Sequence, residues 1–268
     1  MRPAHVSPGP LAGGPGSSPA AGPSAAPLVA VAHGSRDPRA AATVAALLDL
    51  VRLARPGLEV RAAYLDHAGP RLSEALDGLA EAVVLPLLLT EAYHSRVDLP
   101  SALAEVRART GVRVRYGRTL GPHPLMTQIM ERRLAEAGVA RDAETALVLV
   151  SAGSSDARAN AVIARMAREW PAGWRSVGAA YASATGPSPE EAVARARQAG
   201  AARVVCVPYL LAPGYFADKV RRTSGADVTA DVLGAAPELA AVLLQRYDET
   251  TQRSQGVTPE LLLQAAGR

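Results

Sequence analysis

The stretch LVAVAHGSRDPRAAA (28–42) returns as LVLVSAGSSDARANA (147–161). Each copy opens with the apolar run of a short buried strand and turns at a glycine, Gly34 or Gly153. Each then reaches an aspartate, Asp37 or Asp156, suited to cap the alanine-rich helical sequence that follows. Pro38 occupies the first helical position in the first copy, where a missing N–H costs nothing. Two further pairs follow in the same order: AAYLDHAGP (62–70) with AAYASATGP (179–187), and AVVLPLLLTEAYH (82–94) with VVCVPYLLAPGYF (204–216). The offsets, 119, 117 and 122 residues, are nearly constant. Gly34/Gly153, Asp37/Asp156, Pro70/Pro187 and Pro86/Pro208 carry the match beyond the alanines, and together they indicate one βα unit present twice.

Working outward from these anchors, the first copy reads as a strand over 28–33 and a helix from Pro38 to about Ala54. A strand near 58–65, a helix near 71–80 and an apolar strand run at 82–89 follow. A helix near 99–109, a strand at 112–116 and a helix at 124–137 complete the copy. Strands alternating with helices predict a parallel sheet covered on both faces, in the α/β class. The expected organisation is an N-terminal lobe at 28–140 and a C-terminal lobe at 146–250. A Pro/Ala/Gly/Ser leader at 1–27, too poor in large apolar groups to offset its ordering entropy, is expected to be disordered. Residues 251–268 are expected to form a tail, and the chain after Tyr247 to add little to the core.

Composition narrows the functional classes. A single cysteine, Cys206, within an apolar strand run excludes a disulfide framework and an all-cysteine metal site. Aromatic residues at 4% are too few for the stacking surfaces of single-strand nucleic-acid binders, and a net charge of +4 with scattered arginines suits an acidic small substrate. No apolar run reaches bilayer-spanning length and no signal-like apolar segment follows Arg2, so the expectation is a cytoplasmic protein with no membrane and no nucleic-acid partner. SAGSS (151–155) has no lysine after it and is no P-loop; GxGxxG and GxSxG patterns are absent.

Differences between the copies point to a site. His33 faces Ala152, Asp66 faces Ser183, His67 faces Ala184 and His94 faces Phe216. Groups that can bind metal stand in the first copy and are lost or weakened in the second, while the frame around them persists. In open parallel sheets ligands bind beyond the carboxyl ends of the strands, where His33 stands and where His94 can converge on it. Paired neutral imidazoles suit Fe, Co, Ni or Zn and titrate near neutrality, and two ligands leave coordination positions open. His5 falls in the leader, and His67 and His123 fall in loop-like sequence; these three are read as bystanders.

AHGSRDPRA (32–40), AYLDHAGP (63–70) and PLLLTEAYHSRVDLP (86–100) resemble the sirohydrochlorin chelatases of the CbiX/SirB type, within the class II chelatases, over roughly residues 28–235. The resemblance implies a chelatase-like fold of two duplicated α/β/α lobes, each around a four-stranded parallel sheet, with a cleft between them. It implies insertion of Fe²⁺ or Co²⁺ into sirohydrochlorin, for siroheme or cobalamin, with the metal as substrate and no organic cofactor. The family's metal-binding histidines fall on His33 and His94, which are the expected catalytic and metal residues, with Asp66 and Glu91 as further candidates. Asp66 stands where the family often has Glu, and Thr90-Glu91-Ala92 replaces residues that are usually small. Ser35, Arg36, Arg39 and Arg96 are expected to bind substrate, since arginine can clamp carboxylates in bidentate fashion. With both lobes in one chain, the protein is expected to work as a monomer. The alternative from another class is a carrier that binds tetrapyrrole or metal without turnover.

Overall fold

The computed structural model describes residues 25–91 and 99–255. The leader up to residue 24, His94, Arg96 and the tail beyond 255 lie outside the described residues.

Strand β1 (Leu28–Ala32) is buried along its whole length, as a central strand with helices on both faces must be. Asp37 accepts a hydrogen bond from the Arg39 backbone N–H and so caps α1 (Pro38–Ala54), with Pro38 in the first turn as expected. Val44, Leu47, Leu48 and Val51 recur at helical spacing and bury one stripe of α1, each contributing about 1.5–3 kcal/mol. Strands β2 (Val60–Tyr64), β3 (Glu81–Pro86) and β4 (Arg113–Tyr116) complete a parallel sheet of order β2-β1-β3-β4. Between them run α2 (Leu72–Leu76), α3 (Leu99–Thr110) and, after β4, α4 (Pro124–Glu136). The second half repeats the plan with β5 (Thr145–Ser151), α5 (Ala157–Arg168), β6 (Ser176–Tyr181), α6 (Pro189–Gln198), β7 (Arg203–Pro208), α7 (Tyr215–Thr223), β8 (Val228–Thr229) and α8 (Pro237–Gln255). Its sheet is parallel, in the matching order β6-β5-β7-β8. The α/β class, the two four-stranded parallel sheets and the duplication stand as the sequence indicates.

Three cores result. Val29, Val31, Ala63 and Val84 point outward from the first sheet to Leu72, Leu76, Leu99 and Leu103 of α2 and α3. Val148, Val150, Val204 and Cys206 do the same beneath Val193 of α6 and Val220 of α7. The inner faces of both sheets share one continuous core, from Leu28 and Leu85 through Met126 and Ile129 to Leu147, Val207 and Leu243. Cys206 is buried among apolar groups, and burial pushes its thiol up to about 11, so it behaves as the small hydrophobe its sequence context suggests.

The last helix of each half crosses over. Helix α4 packs against β7 of the second sheet, where Glu131 accepts from the Trp170 indole N–H at 2.7 Å and Arg132 pairs with Glu238 at 2.8 Å. Helix α8 packs against α1, β3 and β4 of the first. There Asp248 takes both terminal guanidinium nitrogens of Arg55 (2.6 and 2.8 Å) and the Tyr247 hydroxyl donates to the Ala26 carbonyl at 2.7 Å. Tyr247 is the last member of the shared core among the described residues; beyond it α8 runs on to Gln255, with Thr250 buried. Local composition there is polar: Asp248 binds the opposite lobe, while Glu249, Thr250 and Thr251 hydrogen-bond within α8.

Candidate functional site

The site begins where β1 ends. The β1–β2 ladder continues past both strands, with Leu65 N–H donating to the Ala32 carbonyl at 3.1 Å and Asp66 N–H to the His33 carbonyl at 2.9 Å. Gly34 then turns the chain at φ +96° with its α-carbon against Asp66; a β-carbon there would lie 1.7 Å from the Asp66 carbonyl oxygen. Only glycine combines that backbone with that approach. Ser35 Oγ next accepts from the Asp37 N–H at 3.1 Å, and Asp37 caps α1. His33, exposed, is thus carried on a turn whose backbone is pinned on both sides.

The second half builds the same turn without the imidazole. Ser183 N–H donates to the Ala152 carbonyl at 2.9 Å, Gly153 sits at φ +86° against the Ser183 carbonyl, and Ser154 Oγ accepts from the Asp156 N–H at 3.0 Å. Even the left-handed residues correspond, His67 at φ 58° and Ala184 at φ 65°. Ser35 therefore has a backbone task that its counterpart Ser154 also performs.

Both turns face one cleft of about 1000 Å³. His33, Ser35, Arg36 and His67 line it from the first half; Ala152 and the start of α7, with Tyr215 and Phe216, line it from the second, together with Arg222. A smaller, more apolar cavity of about 460 Å³ adjoins it, sharing Ala152, Leu210 and Leu211 and bounded by Leu87–Thr90, Asn160 and Tyr209.

Asp66 lies beside the cleft. Its carboxylate accepts from the His67 N–H at 2.8 Å and stands 3.3 Å from the His67 ring nitrogen. That backbone hydrogen bond, aided by the nearby His67, Arg71 and His33, holds its pKa below the ordinary carboxylate value, so it is an anion at neutral pH. Arg39 does not line the cleft; its guanidinium is shared between Asp37 (2.6 Å) and Asp218 (2.5 Å), bridging α1 to α7. Glu91 is exposed and is not among the cleft-lining residues; its charge raises the Tyr116 phenol, already pushed up by burial, to about 12. His94 and Arg96 lie outside the described residues. Among the described residues no group of three or more His, Cys, Asp or Glu side chains is placed to hold a metal ion.

The structure thus brings His33, Ser35 and Arg36 to one opening and adds His67, read from the sequence as a bystander, with Tyr215 and Arg222, which sequence reasoning passed over. Tyr215 had a signal in the repeat, where it answers Tyr93; Arg222 had none.

The CbiX family model matches residues 27–137 and again 146–250, one match for each half. The chain belongs to the CbiX family. The break between the two CbiX matches coincides with the exposed loop between α4 and β5. Among its relatives, a sirohydrochlorin cobaltochelatase of Priestia megaterium is 28% identical over 244 residues, 82% of this chain and 78% of that one. A sirohydrochlorin ferrochelatase of Bacillus subtilis is 26% identical over 248 residues, covering 85% of this chain and 93% of that protein. The structure of SirB from Bacillus subtilis with Fe³⁺ shares the fold, with a TM-score of 0.71 at 24% identity over 85% of this chain and 96% of that one. No described helix is long and apolar enough to cross a membrane.

Proposed function

We propose that this CbiX-family chain inserts a divalent metal, Fe²⁺ or Co²⁺, into sirohydrochlorin. The observation that carries the reading is that equivalent positions of the two halves, His33 and Ala152, line the same cleft, one with an imidazole and one with a methyl group. A packing residue would tend to persist in both copies; a ligand is needed once. The relatives' activities supply the substrate class, since both cobalto- and ferrochelatases match over most of their length.

Metallation joins a divalent ion to four ring nitrogens and releases the two protons of the pyrrole N–H groups. In this reading His33 and His94 hold the incoming ion, exchange it for the ring nitrogens, and one imidazole takes up a released proton. Asp66, an anion beside the cleft, or Glu91 steers the cation or relays protons outward. Ser35, Arg36, Arg39 and Arg96 are the candidates for contact with substrate; Arg36 lines the opening, whereas Arg39 would have to leave Asp37 and Asp218 to take part. The metal lobe is 28–140 and the lobe that walls the cleft is 146–250. Because one chain supplies both walls, the reading has the protein working as a monomer in the cytoplasm.

Sirohydrochlorin mixed anaerobically with the protein and Co²⁺ or Fe²⁺ tests this by visible absorption. Progressive conversion to the metallated spectrum at a rate proportional to protein supports it, and His33→Ala should slow that rate at least about a hundredfold. An immediate, fixed spectral shift without conversion marks a carrier, and wild-type rates in His33→Ala overturn the assignment of the metal site.

A further inference from the structure

The second half is more than a wall. Tyr215 is 69% exposed, an unusual state for a large aromatic side chain, and it sits at the cleft with Phe216, the only phenylalanine of the chain. The two rings meet edge to face at 5.4 Å, with Phe216 half-buried against the outer core and Tyr215 exposed at the cleft. Charge accounting at the same opening is one-sided. The cleft acids Asp37 and Asp218 are both taken by Arg39. Arg36 and Arg222, from opposite halves, have no ion pair among the described residues. An opening of about 1000 Å³ with one exposed aromatic ring, a half-buried one behind it, and two guanidinium groups without an ion pair among the described residues suits a flat conjugated ring that bears carboxylates.

We propose that the second half seats the macrocycle: Tyr215, braced edge to face by Phe216, stacks on the ring, and Arg222, with Arg36 across the cleft, holds its carboxylates. The Arg39 bridge between Asp37 and Asp218 keeps the seat at a set distance from the His33 turn. This inference rests on the chelatase reading and divides its labour, metal on the first lobe and ring on the second. Arg222 and Tyr215 are positioning residues, not catalytic ones.

The test is equilibrium binding of metal-free sirohydrochlorin, followed by its absorption, together with steady-state Co²⁺ insertion and Co²⁺ binding without tetrapyrrole. Arg222→Ala should weaken sirohydrochlorin binding and raise its KM about tenfold, leaving kcat and Co²⁺ affinity near wild type. Arg222→Lys should recover part of the loss. Tyr215→Ala should weaken binding about fivefold, and Tyr215→Phe should restore it, since the ring and not the hydroxyl does the stacking. Arg221→Ala, one position away and paired with Asp231, should change none of these. Wild-type binding and KM in both Arg222→Ala and Tyr215→Ala, with insertion intact, would overturn the seat while leaving the chelatase reading standing. A wild-type protein that neither binds nor metallates sirohydrochlorin would overturn both.

Discussion

Gly34 and Gly153 show how a single atom decides the site's shape. At Gly34 a methyl group would strike the Asp66 carbonyl, and at Gly153 the Ser183 carbonyl at 2.0 Å, each on a left-handed backbone. Gly34→Ala and Gly153→Ala should each cost about 2–4 kcal/mol in urea unfolding, by strain and displaced backbone. Only Gly34→Ala should also weaken Co²⁺ binding, because only that turn carries an imidazole. The place of His33 at the cleft was legible in the sequence because the second copy serves as a control for packing. The same comparison left the uses of Ser35 and Arg39 hidden: the serine braces its own turn, as Ser154 does, and the arginine ties α1 to α7. Arg222 was illegible because a charged residue late in a helix looks like any solvated position until the fold sets the opposite lobe across the cleft from it. His94 is an assignment from the repeat and the family resemblance, and Arg96 one from its closeness in sequence to His94 and the carboxylate-clamping chemistry of arginine.

Among the elements, most strands and long helices follow from apolar periodicity, and the differences have local causes. The helix expected over 71–80 is only the single turn Leu72–Leu76, ended where Asp77 is extended and Gly78 left-handed. His123, read as a loop bystander, caps α4: its ring nitrogen accepts from the Leu125 N–H at 3.2 Å, which requires a neutral imidazole at that position. Burial, helped by the Arg246 guanidinium, lowers its pKa from 6.5 against the opposing pull of Gln245 and Glu249. Well above pH 6.5 the ring is neutral whether the chain is folded or not. Below it the unfolded chain takes up the proton first, so stability falls as pH drops from 6.5 towards the folded value. His123→Asn keeps an acceptor at the cap and removes the titration. Between about pH 7.5 and about 5.5, its urea midpoint should therefore fall less than that of wild type.

For the whole molecule, the parallel sheets and the duplication could be read from the sequence, but the strand order and the crossing of α4 and α8 could not. Both helices are amphipathic, and an apolar stripe does not say which of two equivalent sheets it will cover. Because each half lends its last helix to the other, the halves share a core and should not separate when the connection between them is cut. Cleavage in the exposed loop 140–144 should leave a nicked protein that elutes at the size of the intact chain and unfolds in one step. Release of two fragments in native buffer would show the shared core to be dispensable. The crossover also bears on how such a chain can arise. Two half-length proteins that traded their terminal helices would already bring the end of one polypeptide to the first strand of its companion. A fusion would then need only the few residues that join Glu136 to Thr145, and once fused, either copy could drift in chemistry without losing its hold on the other.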